Sequence, residues 1–155
     1  KADVVPAGGS RAGGLGPPYA VQAYAPDPAT RAASVDFGDT LRLTGYSVAP
    51  ETLAPAAQVA VTLHWQPLAP LDADWTTFVQ IINAAGDKVG QSDHQPGGEY
   101  YPTSLWATSE TLRDQHTLAL ATDLGQGPYR LLVGVYRQDG QALRYLGEPQ
   151  FVGEP

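Results

Sequence analysis

Residues 58–66 read QVAVTLHWQ, and every second side chain of this stretch is large and apolar: Val59, Val61, Leu63 and Trp65. A period of two places alternate side chains on opposite faces of a β-strand, one toward a core and one toward water. The stretch therefore predicts a half-buried strand whose odd-numbered side chains, Trp65 included, lie in a hydrophobic core.

Weaker alternation recurs along the chain between turn signals. The further expected strands are at 19–25, 37–48, 75–83, 88–92, 111–121, 129–137, 143–145 and 151–152. Turns at 84–87 and 139–140 predict two hairpins, and Gly45 inside its strand predicts a bulge or a close approach of another backbone segment. About seven to nine short strands predict an all-β, antiparallel β-sandwich, either immunoglobulin-like or jelly-roll-like.

A helix is the main competing interpretation for one part of the chain. Residues 103–124 contain neither glycine nor proline, which would permit a helix. Their apolar positions fit a period of two better than one of 3.6, so a strand at 111–121 is favoured. A single helical turn near 103–109 stays open.

Length and composition point to one folded domain. A chain of 155 residues is long enough to bury a core without disulfides or metal, and it has no cysteine. Residues 1–18 are rich in glycine and proline with few large side chains, so they predict a flexible linker. Residues 19–155 are expected to form a single β-sandwich domain.

The net charge limits the classes of partner, and the first residues bear on whether the chain is part of a longer protein. A net charge of −7 with nine scattered Lys and Arg argues against nucleic acid. No run approaches the length of an apolar membrane span. Because the sequence begins with Lys1 and has no methionine, we expect a piece of a longer protein whose signal or membrane segment lies elsewhere.

Several short sequence segments are similar to segments of one known kind of protein module. They are 127–136 (GPYRLLVGVY), 63–66 (LHWQ), 78–80 (FVQ), 102–104 (PTS) and Trp106. Together they resemble the β-sandwich module at the C-terminus of large bacterial membrane proteins. Many of these proteins, notably in Chloroflexi-like bacteria, resemble glycosyltransferases of the dolichyl-phosphate-mannose mannosyltransferase type.

This resemblance extends over roughly residues 19–145. It implies a β-sandwich displayed outside the cytoplasm, at the cell surface or in a periplasm-like space. It also implies that any sugar transfer belongs to a helical membrane portion of the parent protein. It carries no catalytic residue over to this chain.

The loop at 92–106 holds most of the candidate ligand-binding residues. With a nearby tryptophan, they are Trp75, Asp93, His94, Glu99, Tyr100, Tyr101 and Trp106. Aromatic faces stack on sugar rings, and neighbouring carboxylates accept hydrogen bonds from hydroxyl groups. The competing interpretation, which we favour, is that Trp106 and one tyrosine close the open end of the sandwich.

Metal and catalytic sites have weaker signals. The three histidines, His64, His94 and His116, lack the short spacing of zinc motifs, so no metal or other cofactor is expected. Asp72 and Asp74 fit a solvated turn better than a calcium loop. A hydrolase acting through Glu99 or Glu110 is a minor alternative.

The residues favour a non-catalytic accessory module, and the resemblance implies that it belongs to a larger, membrane-anchored, glycosyltransferase-like protein. Its expected partners are the membrane domain of its parent or other cell-surface components. A carbohydrate-binding module acting through the 92–106 loop is the alternative, with a glycan as ligand.

Overall fold

The computed structural model describes residues 30–98 and 100–155. They form nine β-strands and a three-residue 3-10 helix at Thr103–Leu105. The strands are β1 (Arg31–Phe37), β2 (Leu41–Ala49), β3 (Gln58–Pro67), β4 (Thr76–Ile82), β5 (Lys88–His94), β6 (Leu112–Ala119), β7 (Arg130–Asp139), β8 (Ala142–Tyr145) and β9 (Gln150–Gly153).

The strands make two antiparallel sheets. The first sheet has the order β1-β2-β3-β6, and the second has the order β5-β4-β7-β8. Strand β9 also pairs with β7, beside the half of β7 that β8 leaves open. The expected all-β, antiparallel β-sandwich is confirmed.

The alternation in residues 58–66 has the expected consequence. Trp65 is completely buried, and the other apolar side chains of this face, Val59, Val61 and Leu63, are buried with it. The ring of Phe37 meets the Trp65 ring edge-on, with centroids 5.5 Å apart. Opposite them, β4 and β7 of the second sheet contribute buried valine, leucine and isoleucine side chains to the same core.

The other face of β3 is less exposed than its pattern predicts. Thr62 and His64 are both buried. Strand β3 is flanked on both sides by β2 and β6, and Arg113 lies directly opposite His64. A central strand is covered by the side chains of its neighbours, so period-two alternation overstates the exposure of its polar face.

Most of the local predictions hold. The register of β2 against β3 shifts between Leu43 and Gly45, and a Cβ atom at Gly45 would lie 3.0 Å from the carbonyl oxygen of Arg31, so both alternatives for this glycine occur. The two hairpins form as β4-β5 and β7-β8. The open question at 103–109 is settled by the short 3-10 helix at Thr103–Leu105.

The structure contains a strand, β1, that the sequence does not predict. Its inward side chains include Ala33 and Val35, which are small and give only a weak hydrophobic signal. Pairing with β2 makes it a strand, because the neighbouring edge supplies hydrogen-bonding groups in register. The expected linker at 1–18 and the expected strand at 19–25 lie outside the described residues.

In the described part of the chain, no helix has the length and apolar character needed to cross a bilayer.

The sheet edges determine where polar side chains meet. Strand β6 is at one edge of the first sheet, and β5 is at one edge of the second. These two strands contact each other across the sandwich. Gly90 allows the close approach, because a Cβ atom there would lie 2.9 Å from a methyl group of Leu120.

Candidate functional site

A cluster of polar side chains lies inside the sandwich, where β5 and β6 face each other. Alternation on β6 turns Asp114 and His116 inward together with its leucines. Thr77 of β4 points inward as well, and the register of β4 against β5 places His94 directly beside it. We call Thr77, Ser92, His94, Asp114 and His116 the inter-sheet cluster.

Asp114 is the centre of this cluster. Its side chain is 1% exposed. Its Oδ2 atom accepts hydrogen bonds from Trp65 Nε1, at 3.0 Å, and from the Thr77 hydroxyl, at 2.7 Å. The donors come from both sheets, so the carboxylate links the two layers through hydrogen bonds.

The two histidines complete the network. His94 Nε2 lies 2.5 Å from Asp114 Oδ1, and His116 Nε2 lies 3.2 Å from Asp114 Oδ2. The other ring nitrogen of His116 is 2.8 Å from the Ser92 hydroxyl. The two imidazole rings stack, with centroids 3.8 Å apart. His116 is fully buried, whereas the His94 side chain is 38% exposed, so the cluster reaches solvent at His94.

The hydrogen bonds to Asp114 determine its ionisation. Burial by itself raises the pKa of the Asp114 carboxyl, but the hydrogen bonds from His116 and His94 outweigh burial and hold this pKa below its usual value. The hydrogen bond to Asp114 raises the pKa of His94, although partial burial opposes it. The preferred state pairs a carboxylate with a protonated imidazole.

These shifts predict how stability depends on pH in the metal-free protein. The native pKa of Asp114 is depressed, so its contribution is present above its unfolded value of 3.8 and is lost as pH falls through the native value. The native pKa of His94 is raised, so its contribution is complete below 6.5 and is lost as pH rises through the native value. We expect the cluster to stabilise the fold most between about pH 4 and 6.5.

Urea unfolding at about pH 5.5 and 8.5, in the presence of a chelator, measures the alkaline part of this dependence. The difference in unfolding free energy between the wild type and His94→Gln should shrink at the higher pH. A difference that stays constant would show that the His94 proton contributes nothing to folding.

Two of the predicted ligand-binding residues are in the core. Trp75 and Trp106 are 5% and 4% exposed and belong to the main hydrophobic cluster. Trp106 Nε1 donates to the carbonyl of Tyr101, and the backbone N–H of Trp75 donates to the hydroxyl of Thr103. Neither tryptophan offers a ring face to a sugar in this arrangement. Their burial supports the interpretation that the loop closes one end of the sandwich.

The tyrosines of the loop differ from each other. Tyr101 is half-buried, and its hydroxyl donates to the Glu110 carboxylate. The same carboxylate accepts the Ala107 N–H, so Glu110 holds the loop together. Tyr100 is largely exposed. Glu99 lies outside the described residues, and a catalytic role for Glu99 or Glu110 stays a prediction.

Asp93 and His94 are adjacent in sequence but on opposite faces of β5. His94 turns inward to the cluster, whereas Asp93 faces outward and accepts a hydrogen bond from the Tyr136 hydroxyl, at 2.9 Å. The structure therefore puts the described candidate residues in three different places: the end of the sandwich that the loop closes, the outer face of the second sheet and the inter-sheet cluster. It does not gather them into one binding site.

The hydrogen-bonded series Ser92–His116–Asp114 has the residue types of a Ser-His-Asp catalytic triad. In a catalytic triad the imidazole must pass a proton to the leaving group of the substrate, so it must reach the substrate. His116 is fully buried, and the Asp114 carboxylate already accepts from Trp65 and Thr77. The arrangement suits a buried polar network better than acyl transfer.

The inter-sheet cluster is absent from the sites that the sequence predicts. The available signal was the tripeptide Asp114-Gln115-His116, which lies on a strand whose other inward side chains are leucines. Period-two alternation puts Asp114 and His116 on the buried face. The contribution of His94 depends on how β5 and β6 approach each other, which the local pattern does not encode.

A scan against models of known protein families and a search of curated proteins both gave no match.

Proposed function

We propose that this chain is a non-catalytic accessory module that acts outside the cytoplasm as part of a larger, membrane-anchored, glycosyltransferase-like protein. Its contacts with the parent protein or with other cell-surface components would be made through the outer face of the second sheet. The sequence resemblance supports the parent and the location, and the aromatic surface on that face is the structural observation that supports the contacts.

The outer face begins at the centre of the second sheet. Thr77 and Val79 point into the sandwich, so Phe78 between them points outward. The Phe78 ring lies over Gly134 of the neighbouring strand, where a Cβ atom would be 2.2 Å from it. Tyr136 and Tyr145 continue the row, with successive ring centroids 6.0 and 6.1 Å apart.

Exposed apolar side chains lie on the same outer face. Leu143, Tyr145 and Phe151 are each close to half exposed. The Arg130 guanidinium lies 3.8 Å from the centroid of the Phe151 ring. We call Phe78, Tyr136, Leu143, Tyr145 and Phe151 the outer aromatic face. Phe78 itself is buried, so the side chains of this face that are open to a partner are chiefly Leu143, Tyr145 and Phe151. Exposed apolar side chains on one sheet face are typical of interaction sites, and the arginine adds a group that is common in protein interfaces.

The contrast with the interior supports a non-catalytic role. The titratable groups of the inter-sheet cluster are enclosed between the sheets, and only His94 among them reaches solvent. The surface groups instead form a broad sheet face. A sheet face suits contact with a large partner better than enclosure of a small substrate.

Site-specific photo-cross-linking in the cells that make the protein tests this proposal. A photoreactive phenylalanine analogue at Tyr145 should cross-link to the parent polypeptide or to an envelope component. The same analogue at Arg113, an exposed position on the outer side of the first sheet, is the matched control. Cross-links of equal yield at both positions, or none at Tyr145, would contradict the proposal.

A carbohydrate-binding role is the second candidate, and one observation favours it. Tyr136 and Tyr145 lie side by side on the outer face, with the Asp93 carboxylate hydrogen-bonded to the Tyr136 hydroxyl. Stacking rings beside polar groups are what a sugar requires. A glycan-array screen with the wild type and Tyr145→Ala decides this role: a glycan signal that Tyr145→Ala abolishes supports it, and no signal removes it.

A further inference from the structure

We propose that the inter-sheet cluster is a binding site for a divalent transition metal, with His94, Asp114 and His116 as the protein ligands. This inference is independent of the proposed function, since it concerns the interior of the sandwich and not its outer face.

The three ligands already converge. One donor atom from each residue lies within 4.8 Å of the other two. Around a tetrahedral ion with bonds of about 2.0–2.1 Å, donor atoms are separated by about 3.4 Å. The His116 Nε2 to Asp114 Oδ2 distance is 3.2 Å, which is already close to that separation. The half-exposed His94 ring is the part that must adjust.

The charge of the site also favours a cation. In the described part of the chain, both ion-pair partners of Asp114 are histidines, and neither Lys nor Arg reaches it. A buried carboxylate needs a compensating positive charge. A divalent ion supplies this charge in place of the proton that His94 releases to solvent, so the ion would replace the hydrogen bonds from His94 and His116 to Asp114.

The surroundings hold the ligands as a metal site requires. The Ser92 hydroxyl is hydrogen-bonded to His116 Nδ1, which leaves Nε2 directed at the cluster. Trp65 and Thr77 donate to Asp114 Oδ2 and fix the carboxylate. Such outer hydrogen bonds orient ligands in known metal sites. The exposure of His94 gives an ion access from solvent.

The donor set selects the class of metal. Two imidazole nitrogens and one carboxylate oxygen suit Zn²⁺, Co²⁺ or Fe²⁺, whereas Ca²⁺ and Mg²⁺ prefer sites built from oxygen alone. Three protein ligands leave one position for water. Because the ligands come from β5 and β6, the ion would join the edges of the two sheets.

Titration of chelator-treated protein with ZnCl₂ tests the proposal. We expect one Zn²⁺ per chain by calorimetry, and a melting temperature that rises by about 5–10 °C at a Zn²⁺ concentration one hundred times Kd. MgCl₂ and CaCl₂ should give no such shift. Zinc affinity should fall at acidic pH, because protonated imidazole cannot bind the ion.

His94→Gln is the decisive variant, since its half-exposed position lets the fold tolerate the change. We expect zinc affinity to fall by at least about tenfold, because removing a residue that only orients a ligand already costs about tenfold to a hundredfold. Asp36→Asn is the control: Asp36 lies on β1, at the opposite edge of the first sheet from β6, so this variant should keep wild-type affinity. Absence of zinc binding by the wild type, or wild-type affinity in His94→Gln, would overturn the proposal.

Discussion

Replacing Asp114 with alanine should reduce the free energy of unfolding by about 3–5 kcal/mol at neutral pH in the absence of metal. The substitution removes the acceptor for Trp65 Nε1 and for the Thr77 hydroxyl, which have no access to water at this site. A buried donor that loses its partner costs about 1–3 kcal/mol. The ion pair with His94 is lost as well.

Urea unfolding followed by tryptophan fluorescence measures this loss. Asp36→Ala is the matched control, because Asp36 also accepts two hydrogen bonds, from the Arg42 guanidinium, but at the surface. Surface ion pairs contribute little, so this variant should unfold almost as the wild type does. Equal losses for the two variants would contradict a structural role for the inter-sheet cluster.

Replacing Trp65 with alanine should also cost about 3–5 kcal/mol, because it leaves a large cavity in the core. The smaller change Trp65→Phe separates two contributions. Phenylalanine keeps most of the packing against Phe37 but removes the N–H that donates to Asp114. We expect Trp65→Phe to lose about 1–3 kcal/mol from the missing donor.

Trp75→Phe provides the control for this pair. Trp75 is buried in the core, yet its Nε1 has no hydrogen-bond partner among the described residues. Replacing it by phenylalanine therefore removes no hydrogen bond from Nε1 and should cost less than Trp65→Phe. Chemical denaturation of both variants gives the comparison, and a greater loss for Trp75→Phe would show that the Trp65–Asp114 bond is unimportant.

The cluster can be studied separately from the outer aromatic face. Variants at His94 and Asp114 change stability, pH dependence and metal binding. Variants at Tyr145 change surface contacts and leave the interior as it is. A protein that loses zinc binding but keeps its cross-links, or the reverse, would show that the two features serve different purposes.

The strands were predictable wherever side-chain alternation was strong. Residues 58–66 alternate large apolar side chains without interruption, and this pattern alone placed Trp65 in the core. Gly45 marked the bulge in β2, because glycine relaxes the backbone where pairing shifts register. Strand β1 was missed, since small side chains such as Ala33 carry little hydrophobic signal.

The 92–106 loop shows why composition predicts a site poorly. Its aromatic residues have the chemistry of a sugar-binding surface, but the same rings are equally able to fill space under a long loop. Trp106 is buried, and its indole N–H donates to a carbonyl of the same loop. Which side of a loop an aromatic ring takes depends on the space left between the sheets, and local sequence does not contain that space.

The fold class, the core face of β3 and the two hairpins can all be predicted from the residues, because they depend on local alternation and turn chemistry. The meeting of His94, Asp114 and His116 cannot, because it depends on how the two sheets pack. His94 is separated from Asp114 by 20 residues and belongs to the other sheet, and the contact between them exists because the edges of two layers face each other. That packing follows from the whole core, so no short stretch of residues specifies it.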